Sequence, residues 1–114
     1  MVVGIGIDVV QLKRFLTLVE TSDCFAKRLL TSNELNSYWK LNNNQRANFL
    51  AVHWTLKEAI YKATSHIKPL FTKLEIYKLN NQYRCEFIQN INLLLSVSYT
   101  NCHVSAICLA QQNG

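Results

Sequence analysis

Residues 45–64 read QRANFLAVHWTLKEAIYKAT, the longest helical candidate in the chain. Ala47, Leu50, Ala51, Trp54, Glu58 and Tyr61 recur at steps of three and four, so a helix from Gln45 to Thr64 gathers them into one stripe. That stripe carries the Glu58 carboxylate on its apolar side, one turn after Trp54. A carboxylate in such a place needs a cation, and Lys62 stands four residues on. An ordinary helix-surface pair at this spacing contributes about 0.3–0.5 kcal/mol. It would account for the pair but not for its place on the stripe.

Toward the N-terminus, Val2 to Val9 alternates as a strand. Val3, Ile5 and Ile7 share one face; Gly4, Gly6 and Asp8 share the other. Glycine beside Asp8 leaves room for another backbone or a ligand to approach the carboxylate. Alternatively, Asp8 caps the helix that follows. The Gly-Ile-Gly run lacks the third glycine and the helix start of a dinucleotide loop. Gln11 to Thr21 has helical spacing, and Asp23 is placed to cap a short helix through Leu30. Thr31 and Glu34 fit a capping box opening the helix in TSNELNSYWKL. Beyond Pro69, KLEIYKL and YRCEFI alternate as strands around Asn80-Asn81, and LLLSVSYTNCHVSAICLA reads as a hairpin turning near Thr100-Asn101. The predicted architecture is one α+β domain over residues 1–114, an antiparallel sheet with a long packed helix.

Composition narrows the function classes. At 114 residues and 49% hydrophobic content, one core is expected. No run of 18 apolar residues exists, which argues against a membrane partner, and the charges after the short N-terminal apolar run are the reverse of a secretory signal. Cytoplasmic residence is expected. Cys24, Cys85, Cys102 and Cys108 form no metal-binding pattern and read as reduced, mostly buried thiols, with a Cys102–Cys108 bridge as the minor alternative. The scattered histidines give no zinc motif. Twelve Lys and Arg against seven Asp and Glu leave a net charge of +5, concentrated before residue 69. This suits an acidic or phosphate-bearing partner, or simply a solvated basic face. Nucleic acid is not expected: Trp39, Trp54 and Tyr61 sit on helical stripes as core, not as a stacking platform. The runs Asn42–Asn44 and Asn80–Asn81 mark loops.

The sharper reading of the two acids is that Asp8 and Glu58 share a divalent cation while Lys62 faces a phosphate. Two carboxylates, with the remaining positions left to water and phosphate, is how Mg²⁺ is typically held.

The segments GIGIDVV, FAKRLLTSNEL, R-A-N-FLAVHWTLKEAIYKA and LSVSYTNCHVSAICLA, in this order, resemble the holo-acyl-carrier-protein synthases, the short 4′-phosphopantetheinyl transferases. The likeness spans residues 3–64 and 93–110. It implies transfer of 4′-phosphopantetheine from coenzyme A to a serine of apo-acyl carrier protein in fatty acid biosynthesis, with adenosine 3′,5′-bisphosphate released. By the same resemblance Asp8 and Glu58 hold Mg²⁺, Lys62 contacts the phosphates, and these three residues are catalytic. Glu58 or a metal-bound water serves as base. Arg46, His53, Lys62 and Ser65 contact coenzyme A, with His53 standing where relatives often have arginine. Lys13, Arg14, Lys27 and Arg28 form a basic surface for the acidic carrier protein. The fold implied is the phosphopantetheinyl transferase fold, assembled as a homotrimer with the active site at the subunit interface.

Three departures stand out. The family's glycine-rich loop after Lys62 is replaced by ATSHIKPLF; a helix before the last hairpin has no room; and Tyr99 replaces a histidine. They favour a second hypothesis, a relative that binds carrier protein without transferring anything.

Overall fold

A computed structural model describes residues 1–86 and 90–113. The chain runs β1 (Val2–Gln11), α1 (Leu12–Thr21), α2 (Cys24–Leu29), α3 (Ser32–Trp39), α4 (Asn43–Ala63), a 3₁₀ turn (Phe71–Lys73), β2 (Ile76–Leu79), β3 (Gln82–Cys85), β4 (Ile91–Tyr99) and β5 (His103–Gln112). β5 lies between β1 and β4, antiparallel to both, while β2 and β3 form a separate hairpin. The architecture is the expected α+β arrangement. Phe87 and Ile88, predicted to extend β3, lie outside the described residues.

Local chemistry explains the boundaries. α4 begins at a capping box: Asn42 Oδ1 accepts from the Gln45 amide (2.9 Å) and Gln45 Oε1 accepts from the Asn42 amide (3.1 Å). The first asparagine run is therefore a helix start, not a loop. Thr31 and Glu34 form the expected capping box of α3. Asp23 occupies the cap position of α2 without a side-chain bond; Ser22 Oγ accepts from the Cys24 amide instead (3.0 Å). Asp8 caps nothing, because β1 continues three residues further and α1 starts after Gln11. Asn80 (φ 52°) and Asn81 (φ 63°) turn the β2–β3 hairpin in the left-handed region, as a tight two-residue hairpin requires.

The inner face of the large sheet is built from small residues. Gly4 stands opposite Ala110, Gly6 opposite Cys108 and Asp8 opposite Ala106. α4 settles so closely on this face that a Cβ at Gly4 would overlap the Ala63 carbonyl, and one at Gly6 the Ala59 carbonyl. The space that glycine leaves is filled by backbone. α4 buries Leu50, Leu56, Ala59 and Ile60 among Phe15, Leu29, Tyr38 and Leu74. Its burial is broader than the six-residue stripe: Trp54, Glu58 and Tyr61 are only half-buried, whereas His53, Lys57 and Thr64 are inside. Trp39 is exposed, contrary to its reading as core.

The outer face of the sheet is apolar and uncovered. Ile5, Ile7 and Val9 are 62%, 62% and 61% exposed, and Leu94 and Ile107 beside them are exposed too. All four cysteines are free. Only Cys85 and Cys108 are buried, which pushes both thiols up to about 12; Cys24 and Cys102 face solvent. Among the described residues, no helix is long and apolar enough to cross a membrane.

Candidate active site

The packing of β1 on α4 brings three of the singled-out residues together. Lys62 Nζ donates to the Ile7 carbonyl (2.9 Å) and to Asp8 Oδ1 (3.4 Å). Its partner is thus Asp8 across the strand–helix seam, where the i, i+4 reading had offered Glu58. Asp8 Oδ2 is buried and has no hydrogen-bond partner. Glu58 is half-buried on the same seam; burial, then the charge of Asp8, raise its pKa, against smaller lowering by Lys62 and Arg14.

Two neighbouring acids, one with an unsatisfied buried oxygen, form an electrostatically incomplete pair. A divalent cation held by Asp8 and Glu58 would complete it. Mg²⁺ needs few protein ligands because water and phosphate supply the rest. Among the described residues no cluster of three or more His, Cys, Asp or Glu exists, so a closed structural metal site has no basis in this geometry. The seam fits an open, oxygen-ligated, phosphate-facing cation, with Lys62 alongside as a second positive charge.

Arg14, on α1, places its guanidinium 5.6 Å from the Trp54 ring centroid and 5.6 Å from that of Phe15, next to Glu58 in the charge balance. Lys13, Lys27 and Arg28 are exposed, and α1 and α2 carry all four basic residues singled out for a partner. Ser65 is exposed in the turn leaving α4.

The other two phosphate candidates are elsewhere. Arg46 donates from Nε to the Tyr38 carbonyl (3.1 Å) and from Nη2 to the Trp39 carbonyl (2.9 Å), closing the end of α3. It lies twelve residues before Glu58, about 18 Å along the helix. His53 is buried, stacked on Phe49, with Nδ1 2.8 Å from the Phe49 carbonyl. A carbonyl only accepts, so Nδ1 carries the proton. Burial lowers the pKa of His53 to about 4, against a smaller raising by Glu34, so the ring is neutral at pH 7. Within one chain, Arg46 and His53 do not converge on the Asp8–Glu58–Lys62 seam.

Sequence reading missed the most deeply buried charge. Lys57 is 0% exposed and donates to Glu34 Oε1 (2.6 Å), the Leu29 carbonyl (2.8 Å) and the Phe71 carbonyl (2.9 Å). A signal was present: Leu50, His53, Lys57, Ile60 and Thr64 also recur at steps of three and four. The acidic partner, 23 residues away and read only as a cap, was not visible.

The chain matches the family model described as the 4′-phosphopantetheinyl transferase superfamily over residues 4–105. It belongs to that superfamily. A holo-[acyl-carrier-protein] synthase of Mycoplasma pneumoniae is 59% identical over 114 residues, covering 98% of this chain and 96% of that one. One from Mycoplasmoides gallisepticum is 41% identical over 113 residues, covering 98% and 99%. A Bacillus anthracis holo-(acyl-carrier-protein) synthase, solved in complex with CoA (3′,5′-ADP), superposes with a TM-score of 0.88 at 26% identity, covering 99% of each chain. The chain is therefore a 4′-phosphopantetheinyl transferase by family, with that fold, and the seam holds the three residues singled out as catalytic.

Proposed function

We propose that this chain is a Mg²⁺-dependent holo-acyl-carrier-protein synthase. It transfers 4′-phosphopantetheine from coenzyme A to a serine hydroxyl of apo-acyl carrier protein, in the cytoplasm and in the service of fatty acid biosynthesis. The observation that carries the reading is the orphaned, buried Oδ2 of Asp8 beside Glu58 and Lys62.

In this reaction the serine Oγ forms a bond to the β-phosphorus of the coenzyme A pyrophosphate. The bond from that phosphorus to the bridging oxygen breaks, and adenosine 3′,5′-bisphosphate leaves with the electron pair. Asp8 and Glu58 would hold the cation, whose chemistry is to polarise the pyrophosphate and offset its charge. Lys62 brings a mobile ammonium, half exposed, to the same phosphates, where negative charge grows. Glu58 or a water on the cation would take the serine proton. Lys13, Arg14, Lys27 and Arg28 steer the acidic carrier protein onto α1 and α2, a contribution that fades with salt. Ser65, Arg46 and His53 serve coenzyme A. Arg46 and His53 can do so only at a site made by two chains, since they stand apart from the seam within one.

The working form is a homotrimer of single-domain chains (residues 1–114). The uncovered apolar face of the sheet supports this: a stripe of Ile5, Ile7, Val9, Leu94 and Ile107 is poorly suited to water and well suited to a second copy.

Intact-mass analysis of apo-acyl carrier protein incubated with this protein, coenzyme A and Mg²⁺ tests the reading. A gain of one phosphopantetheine that vanishes with EDTA and with Glu58→Gln is expected. An unchanged mass in a carrier protein that still binds would make the chain a binding module.

A further inference from the structure

Lys57 and Glu34 have no part in the transfer as described, yet they are the most completely engaged charged pair among the described residues. The Lys57 ammonium has three donors, and all three are used. Their acceptors come from three places: the end of α2 (Leu29), the first turn of α3 (Glu34) and the 3₁₀ turn (Phe71). Glu34 extends the junction. Its Oε1 also accepts from the Thr31 amide (2.9 Å), and its Oε2 accepts from the Ile76 amide at the start of β2 (2.7 Å). One buried ammonium and one buried carboxylate thus fasten four elements to α4 at the position next to Glu58.

A buried ion pair is a poor source of stability, because desolvating both charges offsets much of their attraction. It is a good source of directionality. Here the bonds fix how α4 is rotated under its neighbours. They also fix where the segment after Lys62 ends, since Phe71 is tied back to the helix that the segment leaves.

We propose that Lys57 is a positioning residue for the transfer reaction: through Glu34, Leu29 and Phe71 it sets the orientation of α4 and the path of residues 64–75, and so holds Glu58 and Lys62 in register with Asp8. The inference rests on the proposed transferase activity. It concerns placement only, since Lys57 touches none of the reacting groups. None of its acceptors is on α1, and only the Leu29 carbonyl belongs to α2, at its last residue, so recognition of the carrier protein should change less than turnover.

The test compares wild type with Lys57→Met and with Lys57→Met/Glu34→Gln, the second removing the carboxylate that the first strands. Melting temperature, kcat, KM for carrier protein and amide hydrogen exchange are measured on each folded protein. The double variant is expected to regain melting temperature relative to Lys57→Met. Its kcat should nevertheless stay about tenfold or more below wild type, as a displacement of even 1 Å can produce. KM for carrier protein should rise by a smaller factor than kcat falls, because Lys13 and Arg14 on α1 keep their places. Faster exchange should be confined to the end of α2, the start of α3, residues 64–75 and the start of β2. A kcat that returns with melting temperature overturns the proposal, as does a parallel rise in carrier-protein KM with faster exchange throughout the sheet. If neither variant folds, Lys57→Arg is read on the same measurements: a fall in kcat larger than any rise in carrier-protein KM supports positioning, and wild-type kcat at lowered melting temperature overturns it. A wild-type protein without transfer activity would instead sink the functional reading, and this one with it.

Discussion

His53 shows how one side chain's environment becomes a property of the protein that can be titrated. Its ring is enclosed by Phe49, Glu34 and Lys57, and its pKa falls from 6.5 in the unfolded chain to about 4. Between those values the unfolded state binds a proton that the native state refuses. Stability from this residue is therefore complete above pH 6.5 and is lost as pH falls toward 4, by on the order of 3 kcal/mol. Urea titrations across this window should show the loss in wild type and a shallower one in His53→Gln. Single residues also mark how far a motif can be read. Asp8 beside its glycines, Glu58 on the helix stripe with Lys62 one turn on, and the family pattern pointed to the three residues that the structure brings to one seam. The engagement of Arg46 with the α3 carbonyls and of Lys57 with Glu34 was not legible, because those partners are set by tertiary packing that no local spacing encodes.

Among the elements, β1 and α4 make the decisive contact, and it depends on the absence of side chains. Gly6→Ala would drive a methyl group into the Ala59 carbonyl, and α4 would have to move away from the sheet. Overpacking of this kind costs about 1–3 kcal/mol. The same displacement would separate Lys62 from Asp8. Denaturant unfolding should therefore show the stability loss, and the transfer assay a fall in kcat beyond what the folded fraction explains. Strand and helix positions were largely legible from alternation and capping, and both hairpin turns fell where the asparagine pairs and Thr100-Asn101 placed them. Alternation alone could not say which face of β1 points inward. The apolar face is the usual choice, but here close approach of a helix backbone takes the bare face instead.

For the whole molecule, that inversion leaves a hydrophobic sheet face that none of the described residues covers. Ile7 sits in the middle of this face, opposite Ile107. If the proposed homotrimer forms through this face, Ile7→Lys should leave the monomer folded, since the position is already exposed, while lowering the mass measured by light scattering from three chains to one and abolishing transfer. Retention of the trimer would show that the chains meet elsewhere. A face covered by another copy, as proposed, would also have a genetic consequence. Assembly of the proposed three chains would depend steeply on supply, so halving the amount of protein near the midpoint of association would remove more than half of the working form. A copy damaged only at Asp8 or Glu58 would keep its face intact, enter mixed assemblies and occupy places that sound copies need.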